Sequence, residues 1–389
     1  MKKNLSAKGL IPLFRAGLLL FCTLFFLSLE VYSITYYSRI SSGSWSTGSN
    51  WSTVSCGGTA AGSIPTASDD VVICAGHTMT MNGNPGNCKS LTLEGTAFWS
   101  GNVTTNVGIN GITVNSGGNI TGTTGALATT GDLTVSSGAS FSIAGTALTV
   151  AGQTAIDGSM TISSNVGAKT FQGLVTVNAG GSWTSTTMTT LLLFFQNGIT
   201  QNGSFNAGAA LFNTNPQSIN GSGSLSFANI VAVIGVTVTN NNNTAITMTN
   251  TAAGTLQGTG NWTQGANSFL YYSGSTITIT SFNATASNNL VEYNRAGIQT
   301  IYCTSYYNFN VNNSGTKTFA CGTTVLGDIT IGPGATLAGS TFSHTMQGNF
   351  TNNGTFSPTT STITFSGTTA KTIMGTSTTN FKNLKFSNT

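Results

Sequence analysis

Seven carboxylates, two histidines and five tryptophans could carry chemistry after the first thirty or so residues, and they are thinly spread. The acids are Asp69, Asp70, Glu94, Asp132, Asp157, Glu292 and Asp328. Glycoside hydrolysis needs two carboxylates facing each other across the scissile bond. The only tight pair is Asp69-Asp70, and neighbouring side chains on an extended segment point to opposite sides. That pair suits a turn cap before Val71-Val72-Ile73. A β-helix lyase would need an acidic calcium cluster or a basic catalytic residue in a cationic groove, whereas Glu292 and Arg295 read as a surface pair. His77 follows Gly76 with no second His nearby in sequence, as expected of a structural imidazole. The tryptophans, at 45, 51, 99, 183 and 262, could stack on sugar rings. Trp183 stands where comparable motifs carry Ile120, Phe141 or Leu337, which marks it as core. Trp45 and Trp51 are therefore the ligand-stacking candidates. No catalytic residue, metal site or cofactor is expected.

Six cysteines occur, Cys22 within the N-terminal segment and five beyond it. An odd number leaves at least one unpaired in a monomer. Cys303 and Cys321 are 18 apart, close to one turn of a solenoid, so they are expected to bond across adjacent layers. Two of Cys56, Cys74 and Cys88 are expected to pair, and the sequence does not say which. Zinc is disfavoured by the lack of any CxxC spacing.

The elements that must position these residues start after a targeting segment. Lys2, Lys3, Lys8 and Arg15 precede an apolar run from Gly17 to Leu29, and Val31-Tyr32-Ser33 offers small residues for cleavage, so residues 1–33 are expected to be a signal peptide. No later run qualifies as a membrane helix. Eight Lys and Arg and seven Asp and Glu then remain, a net charge of +1. That excludes a basic face for nucleic acid. Charged residues make up 5% and hydrophobic ones 39%, and the latter occur as short β-branched runs, so a core can form.

Short strands alternate with glycine turns: Ile112-Thr113-Val114, Leu133-Thr134-Val135 and Leu148-Thr149-Val150, the first two 21 residues apart. Each puts two branched side chains on one side and a hydroxyl on the other. This predicts an all-β parallel β-helix with roughly 20 residues per turn, in about 12 to 14 turns that form a rod on the order of 60 Å. The alternative is an array of small β-sandwich-like repeats. Residues 34–95, rich in Trp and Cys, are expected to form an N-terminal cap that covers open strand edges. Residues 96–168 are expected to be solenoid turns, and 169–389 three degenerate repeats of about 74 residues that continue them. The outer copies open at Lys169-Thr170-Phe171 and Lys317-Thr318-Phe319. Thr-x-Thr pairs recur at Thr78/Thr80, Thr237/Thr239, Thr247/Thr249, Thr276 to Thr280 and Thr362/Thr364. A ladder of them could order water or bind a crystalline surface, although any half-buried strand favours Thr on its wet side.

The pattern Gly-Ser-Trp, Asn-Trp, Ser-Ile-Pro, Asp-Asp-Val-Val-Ile-Cys and Gly-His-Thr resembles the opening segment of large secreted surface proteins of Bacteroidetes-type bacteria. The stretch from Asn352-Asn353-Gly354-Thr355-Phe356 to Asn383-Leu384-Lys385-Phe386 is similar to the repeats that follow it there. The resemblance implies type IX export, display at the cell surface and an adhesin-like role toward surface glycans or other cells. That route uses a C-terminal sorting domain, and the chain stops at Asn388-Thr389, so a fragment of a longer product is expected. Together these readings give a secreted or cell-surface structural, adhesin-like repeat protein without catalysis. The alternatives are a carbohydrate-binding module, a polysaccharide lyase or hydrolase, and an ice-binding solenoid.

Overall fold

The computed structural model describes residues 33–82 and 86–387. The expected signal peptide lies outside the described residues except for Ser33. The chain winds as a parallel β-solenoid of about 15 turns, and the one helical element among the described residues is a 3-10 turn at Gly48–Asn50. Each full coil lays one strand on each of three faces. In one coil these are Leu133–Val135 on face 1, Ser140–Ile143 on face 2 and Ala147–Val150 on face 3, after which Thr154–Ile156 returns to face 1. Leu133 pairs in parallel with Thr154, and Thr154 with Val175, a step of 21 residues each time.

Face 2 is one sheet of sixteen strands, from Ser42–Ser44 to Ile373–Met374. Face 1 has thirteen strands as far as Ser281–Asn283, then passes through single bridges at Ala284, Tyr306 and Val325 into a four-stranded sheet that ends at Asn383–Ser387. Face 3 comprises eight strands from Thr104–Val107 to Leu256–Gln257 and a later group of four, Gln299–Ile301 to Thr355–Ser357. Sixteen layers at about 4.8 Å give a rod of roughly 70 Å.

Period-two patterning explains the strands. Three-residue strands such as Ile112–Val114 bury both ends and leave the middle residue half-buried, and four-residue strands such as Ser140–Ile143 bury alternate residues. The inward residues stack in columns through the coils, and Ile120, Phe141, Met160, Trp183 and Phe205 form one of them. Trp183 lies parallel to Phe205, with centroids 5.0 Å apart, and edge-on to Phe171 at 5.1 Å. Burial of such rings is the main force holding one coil on the next. Corners are tight. Gly117 and Gly138 take φ of 82° and 78° in equivalent turns, a region that only glycine enters freely. At Gly348 a Cβ would collide with the carbonyl of Gly327 one coil below.

The start of the rod is closed. Trp51–Ser52 pairs antiparallel with Thr35–Ser38 at the edge of face 1, the one antiparallel pairing among the described strands. Strands Asp70–Ile73, Thr78–Met81 and Ser90–Leu93 fall within residues 34–95 yet are bonded into faces 1 and 2 like every later coil. The covering segment is thus the part before Asp70. The 74-residue unit does not map onto coils. After the openings at Lys169 and Lys317, the first and last copies run through the triplets Val175–Val177 and Ile329–Ile331, which lie on faces 1 and 2, and the three copies then reach Ser204–Ala207, Ser281–Asn283 and Thr355–Ser357, which lie on faces 2, 1 and 3. Strands of all three faces share one apolar alternation, so a sequence alignment slips by a face without any mismatch in pattern.

Candidate functional site

The seven carboxylates stand at separate turns and strands. Asp69 caps a turn: its Oδ2 accepts from Thr66 N at 2.8 Å and Thr66 Oγ1 at 2.6 Å, and its Oδ1 from Ile34 N at 3.3 Å. Asp70, on face 1, accepts from Ser33 Oγ at 2.7 Å and Ser90 Oγ at 2.5 Å. Burial works to raise its pKa, but those two donors, with Lys89 nearby, bring it below the ordinary carboxylate value. Asp132 Oδ1 accepts the Gln153 N–H of the next coil at 2.7 Å, and Asp328 Oδ1 does the same for Asn349 at 2.8 Å. Asp157 accepts from Asn178 Nδ2 at 2.9 Å. These five therefore fasten turns or tie one coil to the next. Glu292 instead points outward from face 2.

The histidines are structural in the same sense. Ser38 Oγ lies 2.8 Å from His77 Nδ1 and accepts from Cys74 N at 2.8 Å. His344 is buried against Phe319, with Nδ1 accepting from Thr323 N at 3.3 Å and Nε2 2.9 Å from Gly339 O. Burial lowers its pKa, so the neutral ring with the proton on Nε2 is the form that fits. Among the described residues, no three His, Cys, Asp or Glu gather as a metal site.

All five tryptophans are fully buried. Trp45 and Trp51, the expected stacking residues, pack edge to face at 4.9 Å, and Trp51 Nε1 donates to Trp45 O at 2.9 Å. They plug the first coils and offer no face to a ligand. This corrects the sequence expectation: a bulky ring beside an open coil end gains more by covering the core than by facing water. Among the described residues there are two disulfides. Cys56–Cys74 pins the covering segment to the end of strand Asp70–Ile73, and Cys303–Cys321 staples adjacent coils, since Ile301 pairs with Phe319. Among the described cysteines Cys88 is the free thiol; it is buried, and burial pushes its pKa up.

Two buried cations went unrecognised in the sequence. Lys169 and Lys317 each point inward, fully buried. Lys169 Nζ donates to the carbonyls of Ala144, Ser164, Val166 and Gly167, at 3.0, 3.5, 2.5 and 2.8 Å. Lys317 Nζ donates to those of Arg295, Asn313, Ser314 and Gly315, at 2.8 to 3.4 Å. Gln217 and Gln299 fill similar cages with amide groups. The available signal was the position of both lysines within an alternating strand, in phase with Phe171 and Phe319.

Outward positions of face 2 form two files in register. From Ser140/Ser142 to Ser159/Thr161 and beyond they are mostly hydroxyls. Phe269/Tyr271 and Leu290/Glu292 interrupt them, and Asn308/Asn310 follow. The Thr-x-Thr pairs do not stack on one another: Thr78/Thr80 is followed on face 2 by Thr96/Phe98, Thr237/Thr239 sits on face 1 beside Asn261/Thr263, and Thr362/Thr364 pairs with Asn383/Lys385. Two shallow cavities of about 360 Å³ lie at the last coil, beside Phe365, Lys371 and Phe386, and at the corner of Val103, Thr124 and Val166. Neither is lined by a carboxylate or an imidazole.

Comparison with family models, curated proteins and solved structures gives no match. No helix among the described residues is long and apolar enough to cross a membrane.

Proposed function

We propose that the chain is a secreted, cell-surface, adhesin-like β-solenoid without catalytic activity, a rod that carries a binding face outward. The observation that carries this reading is how the reactive side chains are used. Five of the seven carboxylates and both histidines are engaged by turns or by neighbouring coils. Among the described residues no two carboxylates confront each other across a cleft, which general acid and base work on a glycosidic bond needs. What repeats along the rod is core and corner, and that is the economy of a scaffold.

The buried tryptophans and the separated acids remove the support that the sequence lent to a Trp-based sugar site or a hydrolase. The unstacked Thr-x-Thr pairs do the same for ice binding. Surface proteolysis of intact cells producing the full chain tests the proposal, together with retention of those cells on coated glycans or on other cells. Protease-sensitive display and specific retention are expected. A chain protected inside the cell, or one that releases sugars from a polysaccharide panel, overturns it.

A further inference from the structure

We propose that the outer surface of face 2, at strands Phe269–Tyr272 and Leu290–Tyr293, is a binding site for a neutral polysaccharide; this rests on the binding-rod reading above. Along most of face 2 the wet side is built from small polar residues, such as Ser140, Ser142, Ser159 and Thr161. At these two coils it carries Phe269 and Tyr271 side by side on one strand, with Leu290 and Glu292 directly above them in register. Phe269, Tyr271 and Leu290 are half-buried, while Leu270, Tyr272, Val291 and Tyr293 fill the core from the same strands. The core is thus complete without the outer group, and packing of the solenoid does not account for it.

The chemistry of the patch is that of a pyranose platform. Residues i and i+2 on a strand lie about 7 Å apart, and the next layer is about 4.8 Å away. The patch is therefore a flat apolar surface wide enough for more than one sugar ring. An aromatic ring in such a surface offers its face to the C–H side of a sugar. Around it stand groups suited to hydroxyls. Asn288 Nδ2 donates to Asn267 Oδ1 at 3.2 Å on one flank, and Ser273 Oγ to Asn294 Oδ1 at 2.8 Å on the other. Asn308 and Asn310 follow on the next coil.

The charge selects among glycans. Glu292 is the one ionisable carboxylate of the patch, and Arg295, beyond the strand end, has Nε and Nη1 buried rather than turned to the surface. A uronate or sulfated chain would meet like charge with no cation on either strand to offset it. A neutral glycan can use Glu292 as an acceptor for its hydroxyls.

The test is retention of the full chain on insoluble cellulose, chitin and β-1,3-glucan, with alginate as the anionic probe, and with melting temperature recorded for every variant. The double variant Phe269→Ser with Tyr271→Ser copies the pair that face 2 carries at Ser140 and Ser142, so the fold tolerates it. Expected are binding to at least one neutral polysaccharide, a loss of tenfold or more in that variant at unchanged melting temperature, and weaker discrimination against alginate in Glu292→Gln. Ser140→Ala with Ser142→Ala should leave binding intact. Failure to bind any of the three neutral glycans, binding that survives the double variant, or a preference for alginate overturns the proposal. Cells that still adhere with the double variant would sink this site and keep the adhesin reading; a chain that never reaches the surface, yet binds cellulose in the predicted way, would do the reverse.

Discussion

Replacing Lys169 by Met should destabilise the solenoid by about 3 kcal/mol, because the ammonium closes a cage of four backbone carbonyls. Met keeps the apolar stem and removes every donated bond. The three N–H donors of the ammonium are shared among the four carbonyls, and at about 1.3 kcal/mol net for each donor the loss is about 4 kcal/mol. Ser164, Val166 and Gly167 form a surface turn, where water can reach some of the freed oxygens, and this lowers the figure to about 3 kcal/mol. Lys169→Gln should cost only about half as much, since an amide keeps two donors. The chain itself supplies that precedent: Gln299 Nε2 donates to Tyr272 O at 2.9 Å and Gly274 O at 2.8 Å. The measurement is the urea midpoint of both variants by tryptophan fluorescence, with amide exchange followed over residues 164–171. Exchange should quicken there first, because coils touch only their neighbours. A Met variant as stable as the parent, or a Gln variant as damaged as Met, would refute the caged-ammonium argument.

Stability should also depend on pH in a definite sense. Burial brings Lys169 and Lys317 down from 10.5 to about 8, so between those values the unfolded chain binds more protons than the native one and stability rises with pH. Burial pushes Tyr272, Tyr293 and Tyr306 above their ordinary value of 10.0, so at higher pH the unfolded chain sheds phenolic protons that the native one keeps, and stability falls. Urea midpoints should peak at about pH 9 to 10, and a steady decline from pH 7 would count against these assignments. Removing the Cys303–Cys321 bond by a double Ser substitution should cost about 3 kcal/mol from the restored freedom of its short loop; a loss below about 1 kcal/mol in chemical denaturation would contradict the chain-entropy account. Gly348→Ala should cost about 2 kcal/mol through collision with Gly327 O, seen as a lower melting temperature, whereas Gly117→Ala meets no atom and is opposed only by its positive φ.

Much of the fold was legible along the chain because a solenoid coil is a local object. Leu133-Thr134-Val135 states in three residues which side is core, and a partner 21 residues away completes the layer. The same locality made Cys303 and Cys321 readable as neighbours across one step. It also limited what could be read. The alternation is alike on every face, so nothing in it says that Val175–Val177 lies on face 1 and Ile329–Ile331 on face 2; only the summed lengths of the intervening corners decide this. Trp45 and Trp51 looked like ligand residues because no periodicity placed them inside, and the plug they form exists only once the segment before Asp70 folds over the first coil. Composition and spacing thus determined a stacked β architecture with a polar exterior and few reactive groups. Tertiary register alone brought the Ala144 carbonyl of the preceding coil to Lys169, and it alone set Phe269 and Tyr271 beneath Leu290 and Glu292. Such contacts join residues one coil apart, and their alignment depends on every corner between them.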